Sequence, residues 1–266
     1  MRLKSLSIAA VACLAISLPA GLVAQEFSTP RDWLDLRRGG AEAIVAGARA
    51  ASAPVPWEAT YAVRLPAHHP LARDGAKELR LTVARAQPAT KSGAGGSLLV
   101  RIEAPAALKG TGLVVHGGKA WVRKAGAKAV VATPPDLFSD AAGVGVPWAA
   151  FGPFEMTGLH SATLEGEFGD IAVLRGKPEY VAGPAVAPVK AGVSKRHGCW
   201  VVGEVTDRHG KTLALVQWLE VAEIQGIPLP ERVRLRGAAG EAGALDLRRQ
   251  TLATGRAQPW GPRLLR

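Results

Sequence analysis

The chain has 266 residues, 33 Lys and Arg against 22 Asp and Glu, and a net charge of +11. Its length permits one large domain, and neither an internal repeat nor an interdomain linker stands out. The basic residues are scattered and not interleaved with aromatic side chains, which excludes nucleic-acid binding; a basic exported protein instead has anionic membrane surfaces or envelope polymers within reach.

Residues 1–24 begin with Arg2 and Lys4, continue as an apolar run from Leu6 to Val23, and end on the small residue Ala24. This pattern is a secretory signal peptide, with an uncleaved membrane anchor as the alternative. Removal of the segment takes away two cations and no acid, leaving a net charge of +9. Cys13 leaves with it, so Cys199 has no intramolecular disulfide partner. Acylation of Cys13 in Ala10-Val11-Ala12-Cys13 is a second alternative for the same segment. The expected address is the periplasm, with one domain over residues 25–266.

After the signal, Thr29 offers an N-cap and Pro30 a first helical position, and Trp33, Leu34, Leu36, Ile44 and Val45 form an apolar stripe that Gly39-Gly40 splits into two short helices. From Trp57 the period changes to two. Trp57, Ala59, Tyr61 and Val63 oppose Glu58, Thr60 and Arg64; Leu79, Leu81 and Val83 oppose Arg80 and Thr82. The stretch LLVRIEAPAALKGTGLVVHGGKAWVR reads as an antiparallel meander. Leu98, Val100 and Ile102 form its buried face, Leu99, Arg101 and Glu103 a mostly wet one, and Gly117-Gly118 a tight hairpin. KSGAGGS is a turn between strands, and AKAVVAT from Ala127 is a further strand.

Pro134 to Met156 starts as a short helix and continues as a Gly/Pro loop carrying Leu137, Phe138, Trp148, Phe151 and Phe154. Aromatic residues are only 5% of the chain, so their concentration here marks either a lid over a binding site or a plug closing one end of the core. Ser161 to Pro178 is a hairpin turning at Gly169-Asp170. The Pro/Gly/Ala-rich segment from Tyr180 to Gly198 reads as a mobile surface loop. CWVVGEV, a turn at Asp207–Gly210, TLALVQWLEVAEI, IPLPERVRLRG and a run near ALDLRRQTLA complete about ten strands, enough for a large curved antiparallel sheet or barrel. In TLALVQWLEVAEI, Leu213, Leu215, Leu219 and Val221 lie on one side and Val216 and Trp218 on the other, so both faces are covered. Arg64, Arg80, Arg101, Arg123, Arg232, Arg234 and Arg236 take alternating polar positions, a solvated outer face.

Catalytic patterns are scarce. There is no G-x-S-x-G, H-E-x-x-H, Walker loop or C-x-x-C. His197 and Cys199 are two apart and share a face if they lie on a strand, but a buried, inert Cys is the simpler reading. His68-His69 reads as a solvated pair. Glu165 and Glu167 read as the wet side of a hairpin, and neither pair as a catalytic or metal site.

The residues Arg101 to Val122 (RIEAPAALKGTGLVV with GGKAWV) and Glu204 to Arg236 (EVTDRHGKTLALVQWLEVAEIQGIPLPERVRLR) resemble the LolA-like outer-membrane lipoprotein-sorting proteins. The resemblance implies a mainly β (α+β) fold, an unclosed β-barrel of about eleven antiparallel strands with short helices as lid or plug. It also implies a hydrophobic cavity receiving lipoprotein acyl chains in the periplasm, between an inner-membrane transporter and an outer-membrane acceptor. The lid and cavity positions come from the apolar pattern itself: Trp33, Leu36, Leu137, Phe138, Trp148, Phe151 and Phe154. The expectation is a monomeric carrier of lipoprotein or lipid acyl chains, not an enzyme, without cofactor or metal. The alternatives are a non-carrier envelope protein docking a membrane or export-pump partner, and a Cys-dependent enzyme.

Overall fold

The computed structural model describes residues 31–52, 56–86, 97–117, 119–152, 159–177, 188–224, 226–255 and 262–265. The signal segment, Thr29-Pro30, residues 91–96 of the KSGAGGS turn, Gly118, Phe154 and the first part of the Tyr180 loop lie outside them.

Two helices, α1 (Arg31–Arg38) and α2 (Gly40–Ser52), break where expected. Gly40 sits at φ +80°, a conformation that side chains disfavour. Trp33, Ile44, Val45 and Ala48 are buried in the main core. The second helix packs across the sheet from its interior to one edge, and at that edge Glu42 Oε1 accepts from the backbone N–H of Ala162. That bond satisfies an edge-strand donor which otherwise invites intermolecular pairing.

The strands are β1 (Trp57–Arg64), β2 (Glu78–Ala86), β3 (Ser97–Ala104), β4 (Gly112–His116), β5 (Lys119–Arg123) and β6 (Val130–Val131). They continue as β7 (His160–Phe168), β8 (Ile171–Lys177), β9 (Val189–Ser194), β10 (Trp200–Thr206), β11 (Thr212–Ile224), β12 (Ile227–Gly237) and β13 (Leu245–Thr254). All thirteen form one antiparallel sheet in the order β6-β5-β4-β3-β2-β1-β13-β12-β11-β10-β9-β8-β7. The terminal strands β6 and β7 do not pair with each other, so the barrel is unclosed. Two short helices, α3 (Pro70–Arg73) and α4 (Pro134–Phe138), complete the regular elements besides single 3-10 turns.

Thirteen strands replace the expected ten or eleven. Part of the surface loop expected from Tyr180 to Gly198 is strand: Val189–Ser194 pairs with both β8 and β10. Its small residues give little apolar alternation, and only the neighbours on either side reveal it. The strand expected from Ala127 shrinks to Val130–Val131, both exposed at the sheet edge.

Leu98, Val100 and Ile102 are buried, as their alternation requires. Leu99 is buried too, against the expectation of a wet face. With Ala84, Val114 and Leu265 it forms a second, outer core. The cause is the chain's last turn, Pro262–Leu265, which lies across the outer face with the Leu265 carbonyl accepting from Arg123 Nη1. A Cβ at Gly112 would stand 2.5 Å from the Val100 carbonyl oxygen and 2.7 Å from Leu265 Cδ2, so the close approach of this tail needs glycine. The rest of the outer face is polar as expected. Arg80 pairs with Glu78, Arg101 with Glu103, Arg234 with Asp246 and Arg236 with Glu241. Solvent-facing pairs of this kind contribute at most about 1 kcal/mol each.

His68 and His69 are not a solvated pair. His68 is exposed, but His69 is 2% exposed. Its Nδ1 accepts from the N–H of Leu71, capping α3, and its Nε2 lies 3.1 Å from the carbonyl oxygen of Val144. Acceptance at Nδ1 leaves the proton on Nε2, which donates to Val144.

Candidate functional site

Along β1, β2 and β13 the ladder sets Leu81 opposite Tyr61 and Tyr61 opposite Arg249; two pleats away on the same face, Arg85 lies opposite Trp57. On the other side of β13, Trp218 faces Val233, and Val233 faces Leu247, while Val216 faces Leu235. These registers gather one continuous inner face from five adjacent strands. Between that face and the segment after α4 lies a pocket lined by Trp57, Tyr61, Val83, Arg85, Phe151, Val216, Trp218, Pro230, Val233, Leu235 and Leu247.

The segment over it begins with α4, whose capping box joins Thr133 and Asp136; the two bonds hold the Asp136 carboxyl below its ordinary range. A tight loop follows, closed by the Ala141 N–H on the Val146 carbonyl at 2.8 Å and by the Gly145 N–H on Asp140 Oδ1 at 3.0 Å. It ends in the 3-10 turn Trp148–Phe151, all four residues of which are buried. Leu137, Ala141, Val144 and Val146 are buried with them. The segment is closed over the pocket as a plug, an arrangement that a shut lid shares.

The plug nearly fills the pocket, leaving about 20 Å³ for the centres of water-sized molecules. That is room for one water and far short of an acyl chain. Trp148 and Phe151 lean on each other with ring centroids 6.0 Å apart, tilted by 43°.

Within this apolar wall one guanidinium stands out. Arg85 is only 7% exposed. Its Nη2 donates to the carbonyl oxygen of Phe151 at 2.7 Å, and its charge lies 6.0 Å from the centre of the Trp57 ring. Next to it, the Tyr61 hydroxyl donates to the Pro230 carbonyl at 2.9 Å, and Arg249 Nη1 donates to the same oxygen at 3.2 Å. Burial pushes the Tyr61 hydroxyl well above its ordinary range, an effect opposed by the charges of Arg249 and Arg85.

Of the positions expected at the mouth and lid, the structure brings Leu137, Phe138, Trp148 and Phe151 together on the plug, and Phe151 alone reaches the pocket wall. Phe154 lies outside the described residues. Trp33, on α1, is buried in the main core. Leu36 is half-buried and packs on α2, where a Cβ at Gly47 would meet its methyl at 2.7 Å. The strand residues that make the wall were legible as core but not as a site. Arg85 and Arg249 were missed altogether, although each sits in phase with apolar positions of its strand, Leu79-Leu81-Val83-Arg85 and Leu245-Leu247-Arg249.

The other candidates form no catalytic arrangement among the described residues. Cys199 is buried, and burial pushes its thiol up to about 12, which makes it inert at neutral pH. His197 lies in the turn between β9 and β10 and not on a strand beside it; burial first, then the charge of Arg196, lowers its pKa. Glu165 pairs with Arg175, and Glu167 with Arg37 and Lys195, while a bulge between Leu164 and Gly166 separates the two carboxylates. Ser97 Oγ lies 2.8 Å from His116 Nδ1, a Ser–His contact to which no described carboxylate adds a third member. No group of three or more His, Cys, Asp or Glu among the described residues is arranged to hold a metal. No described helix is long and apolar enough to cross a membrane.

Comparison with solved structures identifies the fold. An outer membrane lipoprotein-sorting protein domain from Vibrio parahaemolyticus superposes with a TM-score of 0.62 at 14% identity, over 86% of this chain and 98% of that one. A DUF1329 family protein from Desulfovibrio piger gives 0.59 at 12% identity, over 86% and 94%. A LolA superfamily protein from Nitrosomonas europaea gives 0.57 at 19% identity, over 83% and 95%. No protein-family model matches the chain, and no curated protein matches it in sequence. At these identities the likeness is one of architecture, and the architecture is LolA-like.

Proposed function

We propose that the protein is an exported carrier that shelters an acyl chain between the inner face of its open barrel and the plug, in the manner of outer-membrane lipoprotein sorting. The observation that carries this reading is the pocket itself: a nearly all-apolar wall drawn from five strands, closed by a segment that belongs to no sheet ladder. Cargo takes the place of Phe151 and its neighbours, so loading requires the plug to swing outward. Each methylene that replaces plug side chains against the wall is worth roughly 0.8 kcal/mol relative to water, so an acyl chain of ordinary length offsets the exposure of a few plug residues.

The rest of the proposal follows from this role. Residues 1–24 direct export to the periplasm, residues 25–266 act as one domain, and the carrier works as a monomer. An inner-membrane transporter supplies cargo and an outer-membrane acceptor receives it, while the basic outer face meets anionic lipid surfaces. No cofactor and no catalytic step enter.

One observation favours a second reading. The space left in the pocket is that of a single water, as expected of a non-carrier envelope protein whose cavity is filled by its own side chains and whose surface docks a membrane or export-pump partner. Native mass spectrometry of the protein purified from an envelope fraction separates the two. A stoichiometric amphiphile, named by lipid extraction, supports the carrier. A clean apo mass with no uptake of added fatty acid or lipopeptide supports the docking protein.

A further inference from the structure

We propose that the free edge of β6 is a docking site for an extended acidic segment of a partner protein, which adds to the sheet there as a further strand. The site lies outside the pocket and stands under either reading of it. The unclosed barrel has two terminal strands, β6 and β7, and they end differently. At β7 the edge is covered: α2 packs against it, and Glu42 takes the N–H of Ala162. At β6 no described strand pairs with the far side.

The backbone of β6 is set for pairing. The Ala132 N–H donates to the Ala120 carbonyl at 2.9 Å, and in an antiparallel ladder the polar groups of successive residues point to opposite sides. Val131, whose partner on β5 is Trp121, therefore turns its N–H and carbonyl away from β5. The side chains are open too, Val130 being 62% and Val131 64% exposed. An incoming strand covers such an edge, with backbone bonds supplying affinity and side chains the choice of partner.

Charge selects the occupant. From Lys119 to Thr133 the chain holds four cations and no acid. Arg123 is committed to the carbonyls of Ala127 and Leu265. Lys119, Lys124 and Lys128 are exposed. Asp136 on α4 feels the charge of Lys124, but its carboxyl is taken up by Thr133. Two such basic edges repel each other, so the lysines keep a second copy of this chain away. The same charge draws in an acidic strand. The outward donor and acceptor of Val131 match a strand backbone, whereas a lipid surface presents no ladder to meet them.

The test uses two short peptides with blocked ends, one of alternating Val and Glu and one of alternating Val and Lys. Each carries a fluorescent label and is titrated with the purified protein, binding being read as anisotropy. The acidic peptide binds at least about fivefold more tightly at low salt, and the gap narrows as salt screens it. Val131→Pro removes the outward N–H without touching a bond to β5, a place where an edge strand tolerates proline, and weakens acidic-peptide binding at least about tenfold. Lys124→Glu with Lys128→Glu leaves the backbone in place and reverses the order of the two peptides, so the charge comparison stands even where Val131→Pro fails to fold. Circular dichroism checks the fold of each variant. Equal binding of the two peptides, binding of neither up to millimolar concentration, or binding that a folded Val131→Pro protein keeps overturns the proposal. A wild-type dimer in sedimentation that Val131→Pro dissociates gives the edge to a second copy and overturns it as well. Binding to anionic phosphatidylglycerol vesicles that the lysine changes abolish, in a protein that takes up neither peptide, makes the edge a lipid contact instead. None of these outcomes touches the carrier reading.

Discussion

The sheet wall and the buried residues of the plug face each other across the pocket and are equally covered, yet they are held by different forces. A wall residue such as Val216 or Leu247 lies in a strand bonded on both sides, so its displacement breaks two ladders. The plug belongs to no ladder beyond one isolated bridge, Asp140 to Pro147. Among the described residues it is tied to the body by the His69 ring on Val144 and the Arg85 guanidinium on Phe151. Equal burial therefore does not mean equal stability. The wall opens only with the whole sheet, whereas the plug can open locally, as segments with few backbone bonds do.

The sharpest way to break this comparison is by thiol labelling, because the body of the sheet outside the pocket carries its own reporter. Cys199, fully buried at the β9–β10 turn, has a thiol pushed up to about 12 from a reference of 9.0. At pH 8 burial keeps it protonated, so its alkylation by iodoacetamide is expected to be at least about tenfold slower than that of a free cysteine. A cysteine placed in the plug, Ala150→Cys in a Cys199→Ser background, is equally buried but is expected to label at least about ten times faster through local opening. Equal rates for the two sites would mean that the plug is as rigid as the body of the sheet, and would remove the route by which cargo enters. Rapid labelling of native Cys199 would restore the thiol as a reactive group.

The same contrast explains what the sequence made legible. Period-two alternation and turn residues mark β1 to β5 and β10 to β13, because the physics that selects those residues is local: one face buried, one face wet. The plug announced itself by composition, through Trp148 and Phe151, but its closed position depends on contacts with residues remote in sequence. Leu99 was misread for that reason; what covers it is a tail more than 160 residues later. His69 is buried only because Val144, 75 residues away, comes to it. Arg85 and Arg249 carry a readable signal, a cation in phase with apolar neighbours, which no nucleophile or metal-ligand pattern contains.

A change at His69 tests whether the plug is held by the ties just named. His69→Ala removes the acceptor for the Leu71 N–H and the donor for the buried Val144 carbonyl, at an expected cost of about 1–3 kcal/mol. Urea unfolding measures the total. Hydrogen exchange locates it: amides of 141–147 should gain more exchange than those of β2 and β3, which follow global unfolding alone. A uniform increase across plug and wall would show that His69 supports the whole sheet and that the plug has no separate opening.

The smallest effect has the opposite sign, which makes it informative. Ala142 sits at φ +59° in the plug loop, between the Ala141 and Gly143 positions of a tight turn. The left-handed region costs a residue with a Cβ about 1–2 kcal/mol, and glycine escapes that cost but adds about 0.4–1 kcal/mol of conformational freedom to the unfolded chain. The first magnitude exceeds the second, so Ala142→Gly is expected to stabilise the protein by a few tenths to about 1 kcal/mol, read as a higher urea midpoint with slower exchange in the loop. The same substitution elsewhere in the sheet, Ala172→Gly at a fully buried position of β8, has no strain to relieve and loses about 1 kcal/mol or more. Opposite signs from one chemical change would establish that the plug is held closed against its own backbone while the sheet is at rest in its strands. A destabilised Ala142→Gly protein would show that the loop is as well fitted as the sheet, and that cargo must displace a segment with no stored inclination to move.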